Sequence, residues 1–186
     1  MDSIMELGLT LLSYDPNFAD DSMDSDGDND ENDDSDAELE DCDYSDEDDM
    51  SWKVRRAAAH LLASVFTSYP DKISNLYELC SPRLVARFRE REENIKLDVF
   101  STFSVLLNQV AVAGAASGDG AHLALFARDE AALLQNLSRQ LNTKSLKVKC
   151  GIFDVLKVFV QANPSCMQVC NSDLVFKVKS SVVGIL

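Results

Sequence analysis

Val54-Arg55-Arg56-Ala57-Ala58-Ala59-His60-Leu61-Leu62-Ala63-Ser64-Val65 can be laid without a gap over two later stretches that open with Ile95-Lys96 and Val148-Lys149. Four residues on stand Ala58, Val99 and Ile152. Eight on stand Leu62, Phe103 and Leu156, and eleven on Val65, Leu106 and Phe159. Each copy opens with an aliphatic residue followed by a basic one. Each then carries apolar residues at helical spacing, the mark of a helix with one buried face.

The openings lie 41 and 53 residues apart. The first spacing falls in the roughly 40–47 residue period of HEAT and armadillo repeats. The second is long by about the length of a Gly/Ala/Ser-rich stretch at 111–120, expected to be a loop. The fold class expected is all-α: an α-solenoid of HEAT-type helix pairs with a long disordered acidic loop. One pair cannot cover its own apolar face, so neighbours stack and share a core. Trp52, Val54, Arg55, Ile95, Lys96, Val148 and Lys149 are the structural repeat positions. The basic member of each copy is expected near an inter-repeat surface, paired with an acid next door, and Trp52 is expected to pack between repeats.

Outward from the template, residues 1–14 are the second helix of a truncated repeat, with Ile4, Leu7, Leu11 and Leu12 as its stripe and Asp15-Pro16-Asn17 as its stop. Residues 15–49 hold 19 acids in 35 positions and few apolar residues, so they read as a disordered acidic loop. Residues 51–91 form one repeat: a helix over 51–69, a turn at Tyr69-Pro70-Asp71, then a second helix that Pro82 should kink or split. Residues 92–142 form the next, with helices over 92–110 and 121–141 around the 111–120 loop. Residues 145–186 form an incomplete repeat, broken at Asn163-Pro164 and ending without a capping helix.

Charge follows this division. All 17 Lys and Arg lie from Lys53 onward, whereas 21 of the 32 acids precede Met50. The net charge of −15 is therefore an acidic segment added to a mildly basic body. No run reaches the roughly 18 consecutive apolar residues of a membrane span, and residues 1–14 have no basic stretch of a secretory signal. Five scattered cysteines read as reduced thiols of the cytoplasm and nucleus.

No catalytic, cofactor-binding or metal-binding constellation emerges, and no cofactor is expected. His60 and His122 lack metal-ligand neighbours, and Cys166-x3-Cys170 lacks a second pair. Gly114, Gly118 and Gly120 lack the lysine of a phosphate loop. Two basic clusters, Lys53/Arg55/Arg56 and Arg87/Arg89/Arg91, raise nucleic acid as a partner, but Glu90, Glu92 and Glu93 interleave with the second. A protein-contacting surface at Arg89, Arg91, Glu92 and Glu93 fits better. Ser25, Ser35 and Ser45 each precede an acid by three residues and are candidate phosphosites.

Two blocks carry a family resemblance. Tyr14-Asp15-Pro16-Asn17, an acidic insert and Asp48-Asp49-Met50-Ser51-Trp52-Lys53-Val54-Arg55-Arg56-Ala57-Ala58-Ala59 form the first. Arg87-Phe88-Arg89-Glu90-Arg91-Glu92-Glu93-Asn94-Ile95-Lys96-Leu97-Asp98-Val99-Phe100 form the second. The chain resembles the cullin-associated and neddylation-dissociated proteins over nearly its whole length, as an internal portion of a longer array. The resemblance implies a HEAT scaffold without catalytic residues that wraps a cullin–RING core carrying unmodified cullin, takes part in SCF-type complex assembly and promotes substrate-receptor exchange in protein ubiquitination. Its other implied partners are the neighbouring repeats of the full-length protein, with no nucleic acid and no membrane. A nuclear-transport or chromatin HEAT adaptor, contacting basic partners through the acidic loop, is the alternative.

Overall fold

The structure, a computed structural model, describes residues 2–14, 50–118, 120–168 and 178–179. The expected acidic loop, with Ser25, Ser35 and Ser45, lies outside them, as does most of the chain after Gln168.

Six α-helices account for most of the described residues: α1 (Asp2–Leu12), α2 (Ser51–Ser68), α3 (Ile73–Ala86), α4 (Glu93–Ser117), α5 (Ala121–Gln140) and α6 (Leu146–Ala162). Among the described residues there is no strand. The packing has two layers. Helices α2, α4 and α6 stack side by side, and α1 leans on α2 as α3 leans on α4 and α5. The all-α repeat stack expected from the sequence is what forms.

The template positions explain the stacking. Ala58, Val99 and Ile152 are all buried, as are Val65, Leu106 and Phe159. Thr102 is buried between α4 and α2, where its hydroxyl donates to the Ala59 carbonyl at 3.0 Å. Aromatic edges link the layers. Phe88 meets Phe100 and Phe103 at centroid separations of 4.9 and 5.4 Å, and Phe126 meets Tyr77 and Phe159 at 5.6 and 6.0 Å. Such T-shaped pairs contribute about 0.5–1.5 kcal/mol each beyond their buried area.

Helix α4 alone among the described residues is long and apolar enough to cross a membrane. Its place accounts for that composition: α2, α3, α5 and α6 all pack against it.

Four expectations need correction. The stretch 111–120 is not a loop. Helix α4 runs on to Ser117, because Val110 and Gly114 are still buried there and the alanines favour helix. The break is shorter: Gly118 (φ +68°) ends α4, donating its N–H to the Gly114 carbonyl, and Gly120 (φ +67°) opens α5. Gly114 is needed for another reason. A Cβ there would overlap the His122 ring, so the glycine lets α5 fold back against α4.

Pro82 does not split its helix. Helix α3 continues through it to Ala86, with the proline ring exposed, and tightens into a 3-10 turn at Arg87–Arg89. In α1 the buried stripe is Met5, Leu9 and Leu12, while Ile4 and Leu7 are about half exposed. Finally, Trp52 is not sandwiched between repeats. It is 37% exposed, with the Lys53 ammonium 5.3 Å from its ring.

Candidate interaction surface

Of the residues singled out from the sequence, Arg55, Arg89, Arg91, Glu92, Glu93, Ile95 and Lys96 lie around the corner where α3 passes into α4, whereas Val148 and Lys149 lie at the start of α6. After the 3-10 turn the backbone extends at Glu90 (φ −50°, ψ 139°), and α4 starts at Glu93 without a side-chain N-cap. The Glu90 carboxylate instead holds the two residues that lead into the helix. Its Oε1 accepts from the backbone N–H of Arg91 at 2.9 Å and of Glu92 at 3.4 Å. Its Oε2 pairs with Arg55 Nε at 3.3 Å and with the Arg87 guanidinium.

Glu90 and Arg55 are both almost fully buried. A buried carboxylate is tolerated only when its lone pairs are met, and here two guanidinium groups and two amides meet them. Arg55 extends the network backward. Its Nη1 donates to the Tyr14 carbonyl at 3.0 Å and to the Ser51 hydroxyl at 2.8 Å. One side chain thus ties the end of α1, the start of α2 and the α3–α4 corner.

The next corner repeats the device in neutral form. Thr143 stands 53 residues after Glu90, the offset that lays Val148 on Ile95. Its hydroxyl accepts from the Ser145 amide at 3.1 Å, and Ser145 then caps α6 by accepting from the Val148 amide. Lys96, the counterpart of Arg55, donates to the Gln140 side-chain carbonyl at 3.2 Å. Burial pushes the Lys96 ammonium below its usual range, opposed by Glu90 and Glu93. Arg55 pairs with an acid, but one from its own repeat (51–91), while Lys96 meets an amide. Lys149 is half-buried, as is Val54; Ile95 and Val148 are buried.

Outside this bolt, Arg89, Arg91 and Glu92 are exposed and Glu93 is half-buried. They form a mixed-charge rim seated on a rigid foundation. A further set of pairs crosses between helices: Arg56 Nε–Asp98 at 3.0 Å, His60 Nε2–Asp98 at 3.4 Å, Glu6–Arg83 at 3.1 Å and Glu78–Arg128 at 3.3 Å. Sequence reasoning missed Glu90 and Asp98 because neither falls on an apolar stripe. The signal available for Glu90 was its place among three arginines, Arg87, Arg89 and Arg91.

Among the described residues no cluster of three or more His, Cys, Asp or Glu could hold a metal. His60 sits on the helix surface as expected, Cys166 is buried, and Cys170 lies outside the described residues. The chemistry on offer is recognition of a surface.

No family model matches the chain. Cullin-associated NEDD8-dissociated protein 1 of Arabidopsis thaliana is 40% identical over 169 residues, covering 89% of this chain and 14% of the relative. The protein of the same name from Drosophila melanogaster is 32% identical over 171 residues, covering 88% and 14%. Cullin-associated NEDD8-dissociated protein 2 of Mus musculus is 35% identical over 160 residues, covering 82% and 13%. The chain thus spans 13–14% of the length of these relatives. At 32–40% identity over more than four-fifths of its residues, the chain belongs to the cullin-associated NEDD8-dissociated family.

Proposed function

We propose that this chain contributes a non-catalytic stretch of scaffold that binds a cullin–RING ligase core whose cullin is unmodified. In that role it takes part in SCF-type complex assembly and substrate-receptor exchange, and so regulates protein ubiquitination in the cytoplasm and nucleus. The observation that supports this reading is the corner at Arg87–Glu93. Glu90 fixes the backbone from beneath, so Arg89, Arg91, Glu92 and Glu93 are presented in a set geometry. Preorganised charge of this kind serves specificity and association rate more than raw affinity. The relatives' names, each describing a cullin-associated protein, supply the partner. The helix pairs read as 51–91, 92–142 and 145–186 would continue into neighbouring repeats of the full-length protein. Phosphate at Ser25, Ser35 or Ser45 would act by altering what a partner reads on an already acidic stretch.

The test is a binding titration of the full-length parent with a purified cullin–RING core, with and without NEDD8 on the cullin. Tight binding of the unmodified core, weakened by Arg89→Glu/Arg91→Glu with helicity unchanged, is the expected result. Equal affinity for both forms of the core would remove the reading.

A further inference from the structure

The valley between α4 and α6 differs from the valley between α2 and α4. The latter is bridged by Arg56 and His60, which both reach Asp98. Among the described residues no ion pair crosses the former. It is an open trough of about 920 Å³ with Leu97, Phe100 and Val158 in its lining. Gly151 forms part of its floor, where α6 packs closely on α4. The glycine backbone lies directly against the Leu97 and Phe100 side chains, at 2.9 and 3.0 Å from an added Cβ, so no α6 side chain rises there.

Lys147 and Lys157 also line the trough, with Asp154 between them, and Leu146 lines it while 52% exposed. Neither lysine pairs with an acid among the described residues, whereas the exposed guanidinium groups of Arg56, Arg83 and Arg128 all do. Phe153, Leu156 and Val160 do not line the trough and are partly buried against the core.

We propose that the α4–α6 trough is a docking site for an acidic amphipathic helix of a partner protein. Leucine-sized side chains at i, i+3 or i+4, and i+7 would lie along Leu97, Phe100 and Val158, and flanking carboxylates would reach Lys147 and Lys157. The chain's own residues 15–49 are acidic enough, but their sparse apolar residues (Phe18, Met23, Leu39, Tyr44) offer no such helical stripe. The occupant proposed is a separate polypeptide. This site is distinct from the α3–α4 corner, so it stands or falls independently of the cullin reading.

The test uses fluorescence anisotropy with a labelled 18-residue helical peptide bearing leucines at that spacing and glutamates elsewhere, beside a control with lysines for the glutamates. Saturable binding of the acidic peptide is expected, weakened at least ten-fold by Lys147→Glu/Lys157→Glu and by added salt, with little binding of the lysine peptide. Comparable binding of both peptides, or a dissociation constant within two-fold in the double variant, overturns the proposal. Binding that appears only after residues 20–45 are deleted would assign the trough to the chain's own acidic stretch and also overturn it.

Discussion

Arg55 Nε lies 3.3 Å from Glu90 Oε2, with 4% and 3% of the two side chains exposed. The pair joins the first turn of α2 to the turn before α4, 35 residues apart in sequence, and both groups belong to the two blocks that carry the family resemblance. Removing one partner of a buried pair strands the other charge and costs about 3–5 kcal/mol. Glu90→Gln is expected to lower stability by about that amount, since it strands both Arg55 and Arg87, and Arg55→Met to fall near the lower end because Arg87 still pairs with Glu90. Chemical denaturation of the two singles and the double reads the coupling. A double-variant loss equal to the sum of the singles would show that the two do not act together.

Gly114 and His122 give a sign test. In most helices Gly→Ala stabilises by about 1 kcal/mol. Here the added methyl overlaps the His122 ring, including its Cβ at 2.7 Å, so the start of α5 must move. Gly114→Ala is expected to destabilise by about 1–2 kcal/mol from overpacking. In a His122→Gly background, which removes the Cβ as well as the ring, the same change should stabilise. The same sign in both backgrounds would mean that the two side chains do not compete for space.

Alkaline pH supplies a third prediction. Burial pushes the Cys80 thiol and the Tyr77 phenol up, each to about 12, from ordinary values of 9.0 and 10.0. In both cases the folded state favours the protonated, neutral form. Their stabilisation is complete below the unfolded-state value and declines as pH climbs toward the folded one. Stability should therefore fall between pH 9 and 12, by up to about 1.4 kcal/mol per pH unit for each group. Urea midpoints across that range, compared with those of Cys80→Ala/Tyr77→Phe, isolate the two contributions. An unchanged slope in the variant would assign the decline to other groups.

Trp52 tests the outward placement of the start of α2. A large aromatic buried between repeats would cost about 3–5 kcal/mol on truncation. At 37% exposure, with Lys53 beside its ring, Trp52→Ala is expected to cost under about 2 kcal/mol, partly offset by alanine's better helix propensity. Thermal unfolding of the variant decides between the two. A loss near the upper figure would place the indole in a buried contact after all.

Helix existence was legible wherever the apolar period was long. The stripes Ile73-Leu76-Tyr77-Cys80-Leu84-Phe88 and Ile95-Val99-Phe103-Leu106-Val110 are buried throughout. The errors lie where two physical preferences compete. Glycine and alanine at 111–117 could be loop or close-packed helix, and only the neighbouring His122 decides. In α1, six apolar residues and a glycine leave two registers open, and contact with α2 selects Met5, Leu9 and Leu12. At the candidate surface, the mixed charges of Arg87–Glu93 were visible, but not that Glu90 turns inward. That depends on Arg55, which reaches it only once α2 and α4 lie side by side.

A single guanidinium touches both Tyr14 and Ser51, the described residues that flank the acidic excursion. Arg55 therefore ties Tyr14 to Ser51 directly, without any part in that tie for the residues between them. Closing a flexible segment twice as long costs only about 0.6 kcal/mol more. Dozens of residues could be inserted there or trimmed away while the repeats keep their places. Such a site suits grafting a tag or a foreign epitope, and natural variation in length can accumulate there with little penalty to the architecture it interrupts.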